Sequence, residues 1–341
     1  MGDNTKIQWT EASWSVNRGC SRISPGCGAS DGGGCYAESM AYRFSSPGQP
    51  YHGFVRAGKN GPRWTSNVAL MEDKLDQPKR WRRPRMIFVN SMSDTFHENL
   101  SDEQILRVFN SMFDAPHHTY QVLTKRAARM AEFVKRHYPN GLPSFIWLGV
   151  SVENQEYAEK RIPLLLEAPA AIRFLSVEPL LGPVNLGNWL TGSADCSDCG
   201  RGISFDEDGC CSMCGADADL HYPIDWIIIG GESGRGARPC HVEWIRSIVR
   251  QCRAAQTACF VKQLGANVID RNDAGFDGNE EDSWDLEGDF DAIEYDPNGF
   301  HEEYQGAPVR IRLRDPKGGD IEEFPKDLRI REFPTINGEE R

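Results

Sequence analysis

The chain has 341 residues, of which 39% are hydrophobic and 26% charged, so it is long enough to bury a large core. Its apolar runs are shorter than the roughly 18 residues of a membrane helix, and its N-terminus lacks the apolar stretch of a secretory signal, which predicts a cytoplasmic protein without a membrane partner. The net charge is −12, yet residues 265–341 alone carry −13, so the nearly neutral remainder does not exclude a nucleic-acid partner.

Three cysteines, Cys20, Cys27 and Cys35, lie in a loop rich in Gly and Ser near the N-terminus. Thiols stay reduced in the cytosol, so metal binding is the leading explanation for a chain with 11 cysteines. Three thiolates on one loop can hold three corners of a [4Fe–4S] cluster and leave the fourth iron open to another ligand. The alternatives are a zinc site, for which gaps of six and seven residues are unusually long, and three unligated thiols.

A basic run with one aromatic residue precedes the first predicted strand. It consists of Lys79, Arg80, Trp81, Arg82, Arg83 and Arg85. These cations can contact phosphates while the indole stacks on a base, which makes the run a candidate nucleic-acid site. The alternative is a solvated connector whose Trp packs on the core.

Six short, nearly continuous apolar runs predict strands that are covered on both faces. They are Met86–Asn90, Tyr120–Thr124, Phe145–Val152, Ile172–Val177, Asp225–Gly230 and Ala258–Lys262. Helical patterns lie between them, the first of which begins with a capping box at Ser101 and Gln104. This alternation predicts an α/β fold, interpreted as a partial or complete (β/α) TIM-like barrel formed by residues 1–264.

Polar residues and glycines follow the predicted strands, where the active sites of such barrels form. They are Asn90, Ser91, Asp94, Thr124, Lys125, Arg126, Ser151, Glu153, Ser176, Glu178, Gly230, Gly231, Glu232, Ser233, Lys262 and Gln263. A Glu or Lys after a strand is by itself more commonly a helix-start residue or a surface charge. Together they predict many charges around one end of the barrel.

Two regions interrupt the alternation. Residues 190–222 are polar and contain two Cys-x-x-Cys pairs with eleven residues between them, Cys196 with Cys199 and Cys211 with Cys214. Such pairs predict a small zinc-ribbon insertion that holds one structural zinc ion, with a second iron–sulfur cluster or unligated thiols as alternatives. Residues 265–341 are predicted to form an acidic segment and a C-terminal extension.

Several segments in combination resemble the three-Cys-motif proteins, a phage- and prophage-associated family largely of unknown function. The matching segments are WTEASW, SPGC, CYAE, FVNSMSDTFHE, LTKRAARM, LGVSVENQ, RIPLLL, FLSVEPLLGPV, DWIIIGGESG and FVKQLG. That family in turn resembles the radical S-adenosylmethionine superfamily, with spore photoproduct lyase as a distant relative. The resemblance implies that Cys20, Cys27 and Cys35 ligate a [4Fe–4S] cluster whose open iron binds S-adenosylmethionine. The spacing of these cysteines is longer than the usual superfamily spacing.

The same resemblance assigns roles to the residues after the strands. The candidate catalytic residues are Lys125, Glu153, Glu178 and Glu232. The candidate cofactor-binding residues are Asn90, Ser91, Asp94, Ser151, Gly230 and Gly231. Glycines at such positions allow the backbone to approach a ligand closely.

We therefore expect a radical-SAM-like enzyme of phage or mobile-element type. It would cleave S-adenosylmethionine reductively, using an electron donor, and act on an unknown substrate of the nucleic-acid or nucleotide class. A protein partner encoded nearby is also expected. The alternative is a zinc-stabilised nucleic-acid-binding or adaptor protein without catalysis, which the iron and zinc content distinguishes.

Overall fold

The computed structural model describes residues 5–28, 34–190, 224–234, 236–271 and 308–335. Its strands are β1 Ala12–Trp14, β2 Asn17–Arg18, β3 Val55–Arg56, β4 Arg63–Trp64, β5 Ala69–Leu70, β6 Met86–Val89, β7 Thr119–Thr124, β8 Ile146–Ser151, β9 Arg173–Val177, β10 Trp226–Gly230, β11 Cys240–His241, β12 Ala258–Gln263, β13 Val268–Arg271 and β14 Pro308–Ile311. Seven of them form one parallel sheet in the order β1-β6-β7-β8-β9-β10-β12. The sheet curls into a half-barrel that is compatible with a partial TIM-like barrel.

The predicted α/β fold is confirmed. Each of the six predicted apolar runs is a strand of the parallel sheet, with its ends displaced by no more than one residue. The helices are α1 Tyr36–Tyr42, α2 Gln77–Arg80, α3 Asp102–Phe113, α4 Ala127–His137, α5 Gln155–Leu166, α6 Gly187–Leu190 and α7 Val242–Ala254. The capping box of α3 forms as predicted, because Ser101 Oγ accepts from Gln104 N at 3.2 Å and Gln104 Oε1 accepts from Ser101 N at 2.9 Å.

Alternation along the strands builds two apolar layers. One layer lies between the sheet and the helices. The other lies on the concave side, where the strands and the segment before β1 contribute large rings: Trp9, Phe88, Trp147, Phe174, Trp226 and Phe260. Further along the same strands the alternate positions become small or polar, as at Gly149, Ser151, Ser176 and Gly230. The concave side is therefore filled with aromatic rings at its amino end, and its carboxyl end, here called the mouth, carries small and polar side chains.

Replacing Gly149 with Ala tests this packing. A Cβ on Gly149 would lie 2.5 Å from the ring of Phe174, which is fully buried among other aromatic side chains. We expect the free energy of unfolding to fall by about 1–3 kcal/mol, because the ring cannot move without displacing its neighbours. In urea unfolding measurements, the double variant with Phe174→Leu should be less destabilised than the sum of the two single variants. If the two losses in the free energy of unfolding simply add, the packing argument is contradicted.

The C-terminal residues pack back onto the sheet. β13 pairs in parallel with β11 and antiparallel with β14, and backbone bonds from Val261 N to Ile330 O and from Glu332 N to Cys259 O cover the edge of β12. The predicted zinc ribbon, with Cys196, Cys199, Cys211 and Cys214, and most of the acidic segment lie outside the described residues. Within the described part of the chain, no helix has the length and apolar character needed to cross a membrane.

Candidate functional site

The loop that carries the three cysteines lies over the mouth. After β2 it makes a short 3-10 turn at Pro25–Cys27, and Cys35 directly precedes α1. Desolvation raises the pKa of the Cys20 thiol to about 12 and that of Cys35 to about 11, and the charges of neighbouring thiols in this trio add to both shifts. The three thiols thus lie close enough to affect one another electrostatically. Free thiols with such pKa values stay protonated at neutral pH, so any metal that binds them must displace protons.

Arg126 connects the cysteine loop to the sheet. Its Nη1 lies 3.9 Å from Cys20 Sγ and 3.0 Å from Asp94 Oδ2, and its Nε donates to Glu98 Oε2 at 2.6 Å. Burial favours the neutral guanidine, but Asp94, Cys20 and Glu98 outweigh it and raise the pKa of Arg126 above its usual value. A permanent positive charge is therefore held beside Cys20, where it would stabilise a thiolate or an anionic cluster.

His97 and Ser21 complete this network. The Nδ1 of His97 accepts from Asn99 N at 3.1 Å, so the proton of the neutral ring is on Nε2, 2.9 Å from Ser21 Oγ. Ser21 Oγ also accepts from Arg126 Nη2 at 2.8 Å and donates to Glu98 Oε1 at 2.9 Å. Burial, with Arg126 nearby, lowers the pKa of His97 to about 4.

This histidine should make the protein sensitive to acid. The unfolded chain takes up a proton at His97 near pH 6.5, whereas the folded chain does so only near pH 4, so stability falls as the pH falls between these values. Within that window His97 by itself contributes a loss of about 1.4 kcal/mol for each pH unit, and Asp225, whose pKa burial raises to about 6, contributes in the opposite direction. Urea unfolding at several pH values should show a shallower dependence for His97→Gln; identical slopes for the two proteins would contradict the assignment.

A second buried ion pair holds the other side of the loop. Glu38 of α1 is 1% exposed and accepts from Arg22 Nη2 at 2.5 Å and from Trp64 N at 3.0 Å. Arg22 Nη1 also donates to Gly28 O at 3.0 Å. The stretch between Cys20 and Cys35 is therefore bordered by two arginines, each tied to a carboxylate. Residues 29–33 of this stretch lie outside the described residues.

Glu153 fastens the loop to β8. It is fully buried and accepts from Ser24 Oγ at 2.6 Å, Lys125 Nζ at 3.1 Å and Arg161 Nη1 at 2.9 Å. Burial by itself would raise the pKa of Glu153, but Lys125 and Arg161 outweigh it and lower the pKa. A Cβ on Gly26 would lie 2.3 Å from Glu153 Cγ, so only glycine permits this approach of loop and sheet.

Two more ion pairs line the mouth after β9 and β10. Glu178 Oε1 accepts from Lys262 Nζ at 2.5 Å and from Gln263 Nε2 at 3.1 Å, and both charged side chains are about one fifth exposed. Glu232 binds the Arg238 guanidinium through both oxygens at 2.8 Å, and Arg238 Nη1 donates to Pro25 O at 2.9 Å. Arg238 thus links the mouth to the cysteine loop.

Glycines allow the chain segments at this part of the mouth to pack closely. A Cβ on Gly230 would lie 3.2 Å from Glu178 Cδ and from Gln263 Cγ. A Cβ on Gly231 would lie 2.1 Å from the backbone oxygen of Leu264, a contact that no side chain tolerates. Gly231 is therefore required by the close approach of the segments that follow β10 and β12, and a side chain at position 230 would need Glu178 and Gln263 to shift.

The other predicted cofactor-binding residues are engaged within the protein. Asn90 Oδ1 accepts from Asn17 N at 2.9 Å, and Asn90 has a positive φ of 59°. Asp94 accepts from Phe96 N, Thr124 Oγ1, Lys125 N and Arg126 Nη1, so both of its oxygens are occupied. Ser91 Oγ lies 2.8 Å from Ser13 Oγ, and Ser151 O accepts from Arg161 Nη1 at 2.7 Å. Asn90 and Asp94 hold the loops at the mouth in place.

The basic run lies at the opposite end of the sheet. Lys79 and Arg80 end α2, Arg82 and Arg83 are exposed, and Arg85 comes directly before the amino end of β6. Trp81 is only 6% exposed and packs in the core beside His118, so its ring is not free to stack on a base. Lys79 is already paired with Asp114 at 2.7 Å. The structure therefore does not bring this run to the mouth.

Sequence reasoning overlooked several residues that build the site. Ser21, His97, Glu98 and Arg161 were not singled out, although each contacts a predicted site residue or Arg126. A signal was present for two of them, since His97 and Glu98 end the segment FVNSMSDTFHE.

The comparisons with known proteins give a family. A family described as "Protein of unknown function (DUF5131)" matches residues 4–299. No curated protein and no solved structure matches the chain. In the ranges that the structure describes, no three or more His, Cys, Asp and Glu side chains form a group that could hold a metal ion.

Proposed function

This chain belongs to the DUF5131 family, whose function is unknown, and from that premise we propose that it is an iron–sulfur enzyme of the radical S-adenosylmethionine type. The observation that carries the proposal is the position of Cys20, Cys27 and Cys35 over the mouth of a parallel half-barrel, next to the Arg126 guanidinium. The association with phage or mobile elements that the motifs indicate is part of the same proposal.

The chemistry of the donor set and the charges beside the loop support the cluster. Each of the three thiolates would bind a different iron, so the thiols need to surround the cluster rather than converge on one point. The cluster is anionic when it carries three thiolates, and Arg126 and Arg22 supply positive charge on two sides of the loop. When bound and reduced, the cluster supplies the electron that cleaves the sulfonium of S-adenosylmethionine.

The mouth offers complementary groups for a zwitterionic cofactor. The partly exposed pair of Glu178 and Lys262 presents one charge of each sign, as the amino and carboxylate groups of S-adenosylmethionine require. Gly230 lies next to this pair, since a Cβ there would come within 3.2 Å of Glu178 Cδ. The buried Glu153 with Lys125 keeps the cysteine loop closed over the mouth and so excludes water.

Anaerobic reconstitution tests the proposal. The full chain, purified without oxygen and supplied with iron and sulfide, should turn brown, contain about four iron atoms per chain, and form 5′-deoxyadenosine from S-adenosylmethionine after reduction by dithionite. Replacing Cys20, Cys27 or Cys35 with Ala should abolish the product and lower the iron content. The matched control is Cys252→Ala, because that thiol is buried in α7 within the helix layer.

Metal analysis of the same preparations separates the alternatives. We also propose that Cys196, Cys199, Cys211 and Cys214 hold one structural zinc ion, so zinc should remain in the N-terminal cysteine variants. About one zinc ion per chain without iron, and no cleavage of S-adenosylmethionine, would overturn the enzymatic proposal and favour a zinc-stabilised adaptor. Cytoplasmic location, an electron donor and a protein partner remain parts of this proposal.

A further inference from the structure

An apolar surface lies beside the cysteine loop. Of the large apolar side chains in the described ranges, six are substantially exposed, and five of these lie on or near α1: Ile23, Tyr36, Met40, Tyr42 and Phe44. We call these five residues together with Arg43 the α1 face. The opposite side of α1 buries Ala37, Glu38 and Ala41, so the helix is anchored by one side only. A cluster of exposed apolar side chains of this kind marks an interaction site.

The chain segment that forms the α1 face carries a positive net charge. Glu38 is the only acidic residue between positions 34 and 71, and it is buried in its pair with Arg22. Arg43 is exposed next to the helix, and Arg56 is exposed on β3, which packs against α1. A positive surface with exposed aromatic rings is therefore present on a chain whose net charge is −12.

We propose that the α1 face binds single-stranded nucleic acid. As whole residues, Tyr36, Tyr42 and Phe44 are 44–56% exposed, so their rings can stack on unpaired bases, while Arg43 and Arg56 contact phosphates. A duplex keeps the faces of its bases stacked inside, so it cannot use these rings. The acidic side chains of a protein partner would match the positive charge, but they do not stack on aromatic rings as unpaired bases do.

The α1 face is continuous with the mouth. Tyr36 directly follows Cys35, and its hydroxyl donates to the backbone oxygen of Ser91, two residues after β6. A single-stranded nucleic acid bound on the α1 face would therefore pass next to the cysteine loop. This makes a nucleic acid the substrate class of the enzyme, a last step that rests on the proposed function, whereas binding itself does not.

Fluorescence anisotropy of the full chain with a fluorescein-labelled oligothymidylate tests the binding. We expect Tyr42→Ala combined with Phe44→Ala to weaken binding by about tenfold or more, because each lost stacking contact is substantial. Arg43→Glu should weaken binding and reduce its dependence on salt. Phe113→Ala is the matched control, since Phe113 is an exposed ring on α3 away from the mouth.

Several results would overturn the inference. The inference fails if the oligothymidylate does not bind at low salt, or if a duplex binds equally tightly. It also fails if polyglutamate at equal charge displaces the oligothymidylate. A final contradicting result would be that the double variant Arg82→Glu, Arg83→Glu loses binding while the α1 variants keep it. Iron and 5′-deoxyadenosine are measured on the same preparations. If the oligothymidylate binds but the protein holds no iron, the inference stands and the proposed function is contradicted. If the protein holds iron and forms 5′-deoxyadenosine but does not bind the oligothymidylate, the proposed function stands and the inference is contradicted.

Discussion

Replacing Glu153 with Gln should lower the free energy of unfolding by about 3–5 kcal/mol. Glu153 is fully buried, and the change leaves the charges of Lys125 and Arg161 without their shared carboxylate. The attachment of the cysteine loop also weakens, because Ser24 Oγ donates to the same carboxylate at 2.6 Å. Urea unfolding measures the loss of stability, and the iron content after anaerobic reconstitution measures the effect on the loop.

The matched control for this variant is Glu156→Gln in the first turn of α5. Glu156 is 58% exposed and pairs with Lys160 across one turn, an arrangement whose contribution to stability is small. We expect a change below about 0.5 kcal/mol. Equal effects of the two substitutions would show that the buried network around Glu153 does not hold the loop.

Replacing Arg126 with Met should be comparably damaging, with a loss of about 3–5 kcal/mol and reduced retention of iron. Asp94 is only 5% exposed and would lose its charged partner at 3.0 Å, and Cys20 would lose the cation next to its sulfur. Arg126→Lys keeps the charge but not the three-sided contacts with Asp94, Glu98 and Ser21. It should therefore fall between the wild type and the Met variant in both measurements.

Arg136→Met on the same helix is the control for Arg126. Its guanidinium is 55% exposed and pairs with Asp102 at 2.9 Å, so we expect a loss of at most about 1 kcal/mol and an unchanged iron content. If Arg126→Met bound iron as well as this control, the guanidinium would have no role at the cysteine loop.

Both pairs of variants concern the ion pairs that line the mouth. Pairs of opposite charge follow β7, β8, β9 and β10, and three of the links also reach the cysteine loop: Arg126 to Cys20, Ser24 to Glu153, and Arg238 to Pro25. The loop is thus held by side chains that come from different strands. Such an arrangement positions a site more rigidly than the loop can by itself.

Much of the architecture can be predicted from the sequence because the signals are local. Strands covered on both faces become continuous apolar runs, so all six predicted runs are correct to within one residue at each end. The capping box of α3 involves residues three positions apart and is equally local. β1 has only three residues, too few to show a period, and was not predicted.

The partners of the charged residues depend on the tertiary structure. Arg126 and Cys20 are 106 positions apart, and Ser24 and Glu153 are 129 apart, so only the register and curl of the sheet bring them together. The same holds for the basic run, since its composition is that of a nucleic-acid site but the fold buries Trp81 and places the run at the other end of the strands. The sequence by itself determined which segments become strands and helices, because backbone periodicity is local. Only the packed sheet decided which charges pair at the mouth and which aromatic rings stay exposed, because those depend on neighbours distant in the chain.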